Sequence, residues 1–129
     1  DKASFVISVR SSNAEKMEEL KDKIKSIIDI YHGEYDFPKG YPAWEYREES
    51  KLRDLFNKNY KEITGKDLNI IIIHAGLECG LFAKKNPNLD MISFGPDIHG
   101  AHTTKECLSV ESTKRSYELL KKVILDLAR

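Results

Sequence analysis

The sequence is poor in cysteine and in long apolar runs. Its two cysteines, Cys79 and Cys107, stand far apart and outside any CxxC spacing, which argues against a disulfide framework or a zinc knuckle. The longest run of strongly apolar residues, Ile70 to Ile73, is far too short to span a bilayer. The composition therefore favours a soluble protein with free thiols, as expected in a reducing cytoplasm.

The chain also lacks an excess of charge of either sign. Its 129 residues include 21 basic and 21 acidic side chains, and both signs are interleaved along the predicted helices. Without a basic patch, neither nucleic acid nor an anionic membrane is an expected partner. What the chain does contain is 40% hydrophobic residues, with five Phe and six Tyr, which is enough apolar material for a packed core.

The first third of the chain predicts a β-α-β order. Residues 4–9 are β-branched and aromatic, as in a strand, and Ser12 with Glu15 forms a capping box that starts a helix. Apolar residues then recur every three or four positions and predict one buried stripe, with Gly33 as the left-handed stop. The aromatic, proline-broken stretch 34–46 suits an edge strand and a crossing loop. The stripe consists of Met17, Leu20, Ile24, Ile27, Ile28 and Tyr31.

The remaining two thirds predict an α-β-α-β-α order. Residues 48–64 and 109–128 have amphipathic helical spacing, and Gly65 closes the first of these helices. Residues 68–73 are almost continuously apolar, as in a strand buried on both faces of a parallel sheet, and residues 89–94 predict a second such strand. We therefore expect an α/β fold in which two architectures join at about residue 46.

Two segments that follow the predicted sheet strands carry the candidate chemistry. The string His74-Ala-Gly-Leu-Glu-Cys-Gly80 follows the first strand and leads into a short helix through Lys85. A polar loop, residues 97–105, follows the second strand and contains His99 and His102. Because open α/β sheets bind ligands at the carboxyl ends of their strands, these two segments predict a site.

Each candidate side chain in these segments also has an ordinary interpretation. His102 follows small residues that leave room for a metal, and neutral imidazole is a common ligand of catalytic zinc, but one histidine cannot hold the ion. Glu78 fits a general base, a partner for a substrate ammonium, or a solvated residue. Cys79 fits an inert thiol better than a nucleophile. Arg10 fits either a bidentate partner of a substrate carboxylate or a surface arginine.

Several ordered strings resemble the C-terminal end of the aminoacyl-histidine dipeptidases, also called Xaa-His dipeptidases. They are residues 74–82, 89–96, 101–106 and 108–112. Gly40 to Trp44 and Val9 to Ser12 resemble preceding parts of the same family in the same order. The resemblance therefore covers essentially the whole chain.

The resemblance implies a carnosinase-like metallopeptidase with two zinc ions and an inserted lid domain that often mediates dimerisation. Residues 1–45 would be a β-α-β remainder of a ferredoxin-like lid domain, and residues 46–129 the α-β-α-β-α end of the catalytic domain. The family's other ligand motifs and its general-base glutamate do not occur in these 129 residues. The chain is thus expected to be a C-terminal fragment of a cytoplasmic dipeptidase, with no catalytic residue of its own.

Site roles follow from the same resemblance, residue by residue. His102 is implied as a ligand of one zinc ion, and Arg10 as the lid arginine that binds the terminal carboxylate of the substrate. Glu78 and the backbone at Gly76 are implied as substrate contacts. The complete enzyme would hydrolyse small dipeptides with a C-terminal histidine, whereas the fragment alone is expected to be inactive and to form a homo-oligomer. A non-catalytic binding or oligomerisation module that reuses the fold is the alternative.

Overall fold

The computed structural model describes residues 3–75 and 77–129, whose regular elements are mainly helices, with few strands. The helices predicted over residues 48–64 and 109–128, and the short helix ending at Lys85, are confirmed. Within this described part, no helix has the length and apolarity needed to cross a membrane. In chain order the elements are α1 (Ala14–Ile30), α2 (Lys51–Thr64), α3 (Glu78–Lys85), β1 (Ile98–His99), β2 (Cys107–Leu108) and α4 (Val110–Leu127).

Polar side chains cap the starts of three helices. Asn13, Ser50 and Ser109 precede α1, α2 and α4, and each side chain accepts a hydrogen bond from a backbone N–H three residues further on. Such bonds satisfy amide groups that have no partner within the helix. The predicted cap at Ser12 is wrong by one residue, because the side chain of Asn13 supplies the acceptor.

Left-handed residues follow two of the helices. Gly65, with a φ of 73°, ends α2 as predicted. After α1, however, the left-handed residue is His32, with a φ of 52°, and not Gly33. Gly33 is needed for a different reason, since a Cβ atom there would lie 2.7 Å from Cγ2 of Ile28. The chain therefore turns tightly against the last turn of α1.

The chain divides into two compact units. The first consists of Asp1–Glu48 with Ile71–Leu89, and the second of Glu49–Ile70 with Asp90–Arg129. The domain boundary expected at about residue 46 stays a prediction.

The second unit has its core between α2 and α4. Phe56, Leu119 and Val123 are buried there, and the ring centroid of Phe56 lies 4.7 Å from that of Phe94. The amphipathic faces predicted for these two helices are thus packed on each other. Partly buried residues around this core are Leu52, Leu55, Tyr60, Leu68 and Ile92.

The apolar stripe of α1 is at most half-buried, at Met17, Ile24 and Ile28. The helix buries none of its residues, and Ile27 and Tyr31 are 58% and 80% exposed. An amphipathic stripe becomes buried only where another element covers it, and among the described residues the helices that pack extensively on each other are α2 and α4. The prediction of a buried stripe is therefore wrong for this chain.

The three strands predicted from apolar runs do not form in the described residues. No strand is assigned to residues 4–9, 68–73 or 89–94, and Ile71 is 69% exposed. A strand inside a parallel sheet requires hydrogen-bonded neighbours on both edges, and the described chain does not supply them. The prediction of a parallel sheet from these runs is therefore wrong for the described residues taken alone.

A short antiparallel hairpin forms where the sequence predicted only a polar loop. β1 and β2 pair in register, with Ile98 opposite Leu108 and His99 opposite Cys107. The connection between them contains the segment that was predicted to present a ligand.

Candidate functional site

The predicted site residues belong to different units of the chain. Arg10 and Glu78 are part of the first unit, and His102 is part of the second. Gly76, predicted as a backbone contact of the substrate, lies outside the described residues.

His102 lies in the loop between β1 and β2 and has a left-handed backbone, with a φ of 65°. Few residues other than glycine adopt this conformation, and such strained positions are concentrated at functional sites. The backbone N–H of His102 donates to the carboxylate of Glu106 at 2.6 Å. Glu106 thus holds the backbone of His102, and the residue as a whole is exposed.

The other residues of the loop form tight turns that support this conformation. The N–H and the hydroxyl of Thr103 both donate to the carbonyl oxygen of Gly100, at 3.1 and 2.6 Å. Gly100 has a φ of 62°, and a Cβ atom there would lie 3.2 Å from the carbonyl oxygen of Lys105. Glycine is therefore required at the start of the loop.

Asp97 fastens the base of this hairpin to α4. Its backbone N–H donates to the hydroxyl of buried Ser112 at 2.8 Å, and its carbonyl oxygen accepts from the N–H of Ser109 at 3.0 Å. The guanidinium of Arg115 lies 3.4 Å from the Asp97 carboxylate and 3.0 Å from that of Glu111. The loop of His102 is thus carried by a helix that belongs to the core of its unit.

The described residues do not by themselves fit a metal ion. They contain no group of three His, Cys, Asp or Glu side chains placed to share one, whereas a catalytic zinc ion takes about three protein ligands. The carboxylate of Glu106 already accepts the backbone N–H of His102. The described residues around His102 therefore do not complete a metal site, and no chemical step is assigned to a metal held by this chain alone.

Glu78 is the first residue of α3 in the first unit, and its side chain is exposed. The preceding residue, Leu77, offers no side-chain cap. A carboxylate is stabilised at a helix N-terminus by the partial positive charge there. Glu78 can therefore face a ligand or simply stabilise α3.

A hydrogen bond joins the segment of Arg10 to the segment of Glu78. The backbone N–H of Ser12 donates to Nδ1 of His74 at 3.0 Å. Ser12 is two residues after Arg10, and His74 opens the string that contains Glu78. The structure thus brings together two segments that are far apart in the sequence. The contact is made by His74, for which the sequence indicates no role.

The other end of the same string packs on the main chain near Pro42. A Cβ atom on Gly80 would overlap the carbonyl oxygen of Pro42, so glycine is required for this close approach. A few residues on, the carboxylate of Glu45 accepts the backbone N–H of Ala14 at 2.9 Å. These contacts join residues 12–14, 42–45, 74 and 80 within the first unit, and we call this set of contacts the clamp.

Burial raises the pKa of the Cys79 thiol, against a smaller opposing effect of a backbone hydrogen bond. A raised thiol pKa leaves less of the reactive thiolate at neutral pH. This favours the interpretation of Cys79 as an inert side chain of α3.

Comparisons with known proteins agree on one group of enzymes. The family model described as Peptidase family M20/M25/M40 matches residues 2–126. The cytosol non-specific dipeptidase of Escherichia coli (strain K12) is 35% identical over 111 residues, which are 83% of this chain and 23% of that protein. The crystal structure of aminoacylhistidine dipeptidase from Vibrio alginolyticus matches with a TM-score of 0.74 and 30% identity, over 91% of this chain and 24% of that one. The chain thus spans about a quarter of the length of these relatives.

Proposed function

The chain belongs to peptidase family M20/M25/M40, and from that premise we propose that it is one segment of a cytoplasmic dipeptidase. The observation that carries this proposal is the TM-score of 0.74 over 91% of the chain against an aminoacylhistidine dipeptidase. At 30% identity, that likeness extends to sequence as well as fold. In such an enzyme, residues 1–45 are the remainder of a ferredoxin-like lid domain, and residues 46–129 the last segment of the catalytic domain.

The proposed substrates are dipeptides, with those ending in histidine as the preferred class. The name of the Vibrio alginolyticus relative favours an aminoacyl-histidine substrate, whereas the name of the Escherichia coli relative favours a broad range. An assay that compares Xaa-His with Xaa-Ala dipeptides separates these two possibilities.

The proposed roles of the site residues follow their chemistry. Arg10 binds the terminal carboxylate of the dipeptide through its planar guanidinium. Glu78 and the backbone of Gly76 contact the substrate. His102 supplies one ligand to a two-zinc site, and its left-handed backbone, bonded to Glu106, sets the position from which its side chain starts.

The isolated chain is proposed to be inactive. Its described residues contain no group of ligands for a metal ion, and no general base is assigned among its 129 residues. The remaining ligands and the base would come from the parts of the relatives that this chain does not span.

The chain is also proposed to form a homo-oligomer, because large apolar side chains are exposed in both units. Phe5, Val6 and Ile7 are largely exposed, and the isoleucines of residues 70–73 are about half exposed or more. Apolar surface of this kind marks a site of association. The alternative function, a non-catalytic binding or oligomerisation module, has less support, since both named relatives are dipeptidases.

A chimera tests the proposed function. Residues 2–126 replace the matching segment of the Vibrio alginolyticus aminoacylhistidine dipeptidase, and hydrolysis of Xaa-His dipeptides is measured together with bound metal. We expect the chimera to be active, and His102→Ala to lower kcat/KM by at least about 100-fold with a loss of bound metal, since even removal of an outer partner of a ligand costs about 10–100-fold. Arg10→Ala is expected to raise KM by about 10- to 100-fold, as for the loss of a charged hydrogen bond.

The matched control is His99→Ala, which alters the neighbouring histidine of the same hairpin. It is expected to leave activity and metal content unchanged, because His99 has no proposed role and pairs through its backbone. Full activity and full metal content in the His102→Ala chimera would exclude the proposed ligand.

A further inference from the structure

We propose that His74 is a positioning residue: by accepting the backbone N–H of Ser12, its Nδ1 atom holds the segment of Arg10 against the segment of Glu78. The proposal rests on the proposed function for its effect on substrate. The contact itself, at 3.0 Å, lies within the first unit.

The contact places a requirement on the imidazole. A ring nitrogen accepts a hydrogen bond only when it carries no proton, so the proposed contact requires an Nδ1 atom without a proton. Because the donor is a backbone amide, the bond fixes the main chain of residue 12 and not a mobile side chain.

Within the clamp, the bond from Ser12 to His74 is the contact nearest in sequence to Arg10. Beyond Ser12 the chain is fixed at once, since the Asn13 side chain caps α1 and Glu45 accepts the N–H of Ala14. The two residues between Arg10 and this fixed point therefore have little freedom once His74 is in place. A small displacement of a substrate-binding group is costly, because binding depends on the geometry being prepared in advance.

The bond also holds His74, the first residue of the string that contains Glu78. His74 lies four residues before Glu78, and Gly80, two residues after it, packs on the carbonyl of Pro42. The residues at the two ends of this string are thus held, His74 by a hydrogen bond and Gly80 by a close backbone contact. Loss of the His74 acceptor releases one end only, so the effect should be on position and not on folding.

Two substitutions separate the acceptor from the rest of the side chain. In His74→Asn, the side-chain oxygen can occupy the place of Nδ1 and accept the same N–H. In His74→Gln, the longer amide reaches the place of Nε2, and the acceptor at Nδ1 is lost. The two variants are similar in polarity and differ in where the acceptor lies.

Nuclear magnetic resonance of the ¹⁵N-labelled 129-residue chain, at about pH 8 where free imidazole is neutral, tests the contact. We expect an unprotonated Nδ1 with a scalar coupling to the Ser12 amide nitrogen across the hydrogen bond. Amide exchange at Ser12 should be about 2- to 10-fold faster in His74→Gln and unchanged in His74→Asn. The amide resonances of Arg10 and Glu78 should shift together in His74→Gln.

The chimera described above tests the consequence for substrate. His74→Gln should raise KM for an Xaa-His dipeptide by about 2- to 10-fold with kcat and bound metal unchanged, and His74→Asn should restore KM. An equal effect of both variants, or a protonated Nδ1, would overturn the proposal. If the unsubstituted chimera is inactive, the proposed function fails, and the resonance shifts of Arg10 and Glu78 alone decide whether His74 positions them.

Discussion

Replacement of Gly80 tests the close contact between α3 and the main chain at Pro42. A Cβ atom on Gly80 would overlap the carbonyl oxygen of Pro42, so alanine would force two backbone segments apart. We expect Gly80→Ala to lower the free energy of unfolding by about 1–3 kcal/mol, as overpacking does, despite the better helix propensity of alanine. Urea unfolding followed by circular dichroism measures the loss.

Gly40→Ala is the matched control for this substitution. A Cβ atom on Gly40 would meet nothing within 4 Å, so the change in unfolding free energy should stay within about 0.5 kcal/mol. The same unfolding midpoint for both variants would show that the contact between α3 and Pro42 does not exist in solution.

The site residues differ in how far local sequence could reveal them. His102 was a candidate from its small preceding residues, but its φ of 65° and its bond to Glu106 depend on turns that close only in the folded loop. His74 was not assigned a role, because its partner Ser12 lies 62 positions away and such a contact leaves no local pattern. Only the folded structure shows that Ser12 and His74 are in contact.

At the scale of elements, helices were predictable and strands were not. α2 and α4 carry their own signals in the capping serines and the apolar spacing, and Gly65 ends α2 as expected. A strand such as residues 68–73 depends on neighbours elsewhere in a sheet. The run of isoleucines predicts a strand that needs hydrogen-bonded neighbours, and the described residues do not supply those neighbours.

The pairing of α2 with α4 predicts sensitivity to acid. Hydrogen bonding from Asn59, reinforced by Lys58, lowers the pKa of Asp126, and Lys122 likewise lowers the pKa of Glu62. A carboxyl group whose pKa is lower in the folded state contributes stability above its unfolded pKa and loses it as the pH falls through the folded pKa. The helices of the second unit should therefore lose thermal stability below about pH 4, as measured by circular dichroism.

Asp126→Asn is the variant that checks this origin. It removes one of the two carboxyl groups, so the variant should be less stable at neutral pH and should lose less stability between about pH 7 and pH 3. An unchanged dependence on pH would mean that Asp126 is not among the groups that titrate during acid unfolding.

At the scale of the whole molecule, exposed apolar residues predict self-association. Ile71 is 69% exposed in a run of four isoleucines, and such surface is removed from water when copies associate. Light scattering over a range of concentrations should show a mass above that of one chain. Ile71→Glu should shift the distribution towards the monomer.

Val110→Glu is the control for that experiment. Val110 is 83% exposed at the start of α4, where an acidic residue is well tolerated, and it lies outside the run of isoleucines. It should leave the association unchanged. A monomer at all concentrations for the unsubstituted chain would contradict the expectation.

The length of the chain sets what the molecule can do alone. It spans about a quarter of each dipeptidase that it resembles, and its described residues hold no group of metal ligands around His102. We therefore propose that the chain contributes one ligand and substrate contacts to an active site whose other ligands lie elsewhere in the protein.

Hydrolysis of an Xaa-His dipeptide by the purified 129-residue chain, with and without added zinc, is the most direct test of that account. We predict no hydrolysis above the uncatalysed background at any zinc concentration, because the described residues hold no group of side chains that could share a zinc ion. Zinc-dependent hydrolysis that is abolished by a chelator and by His102→Ala would contradict it.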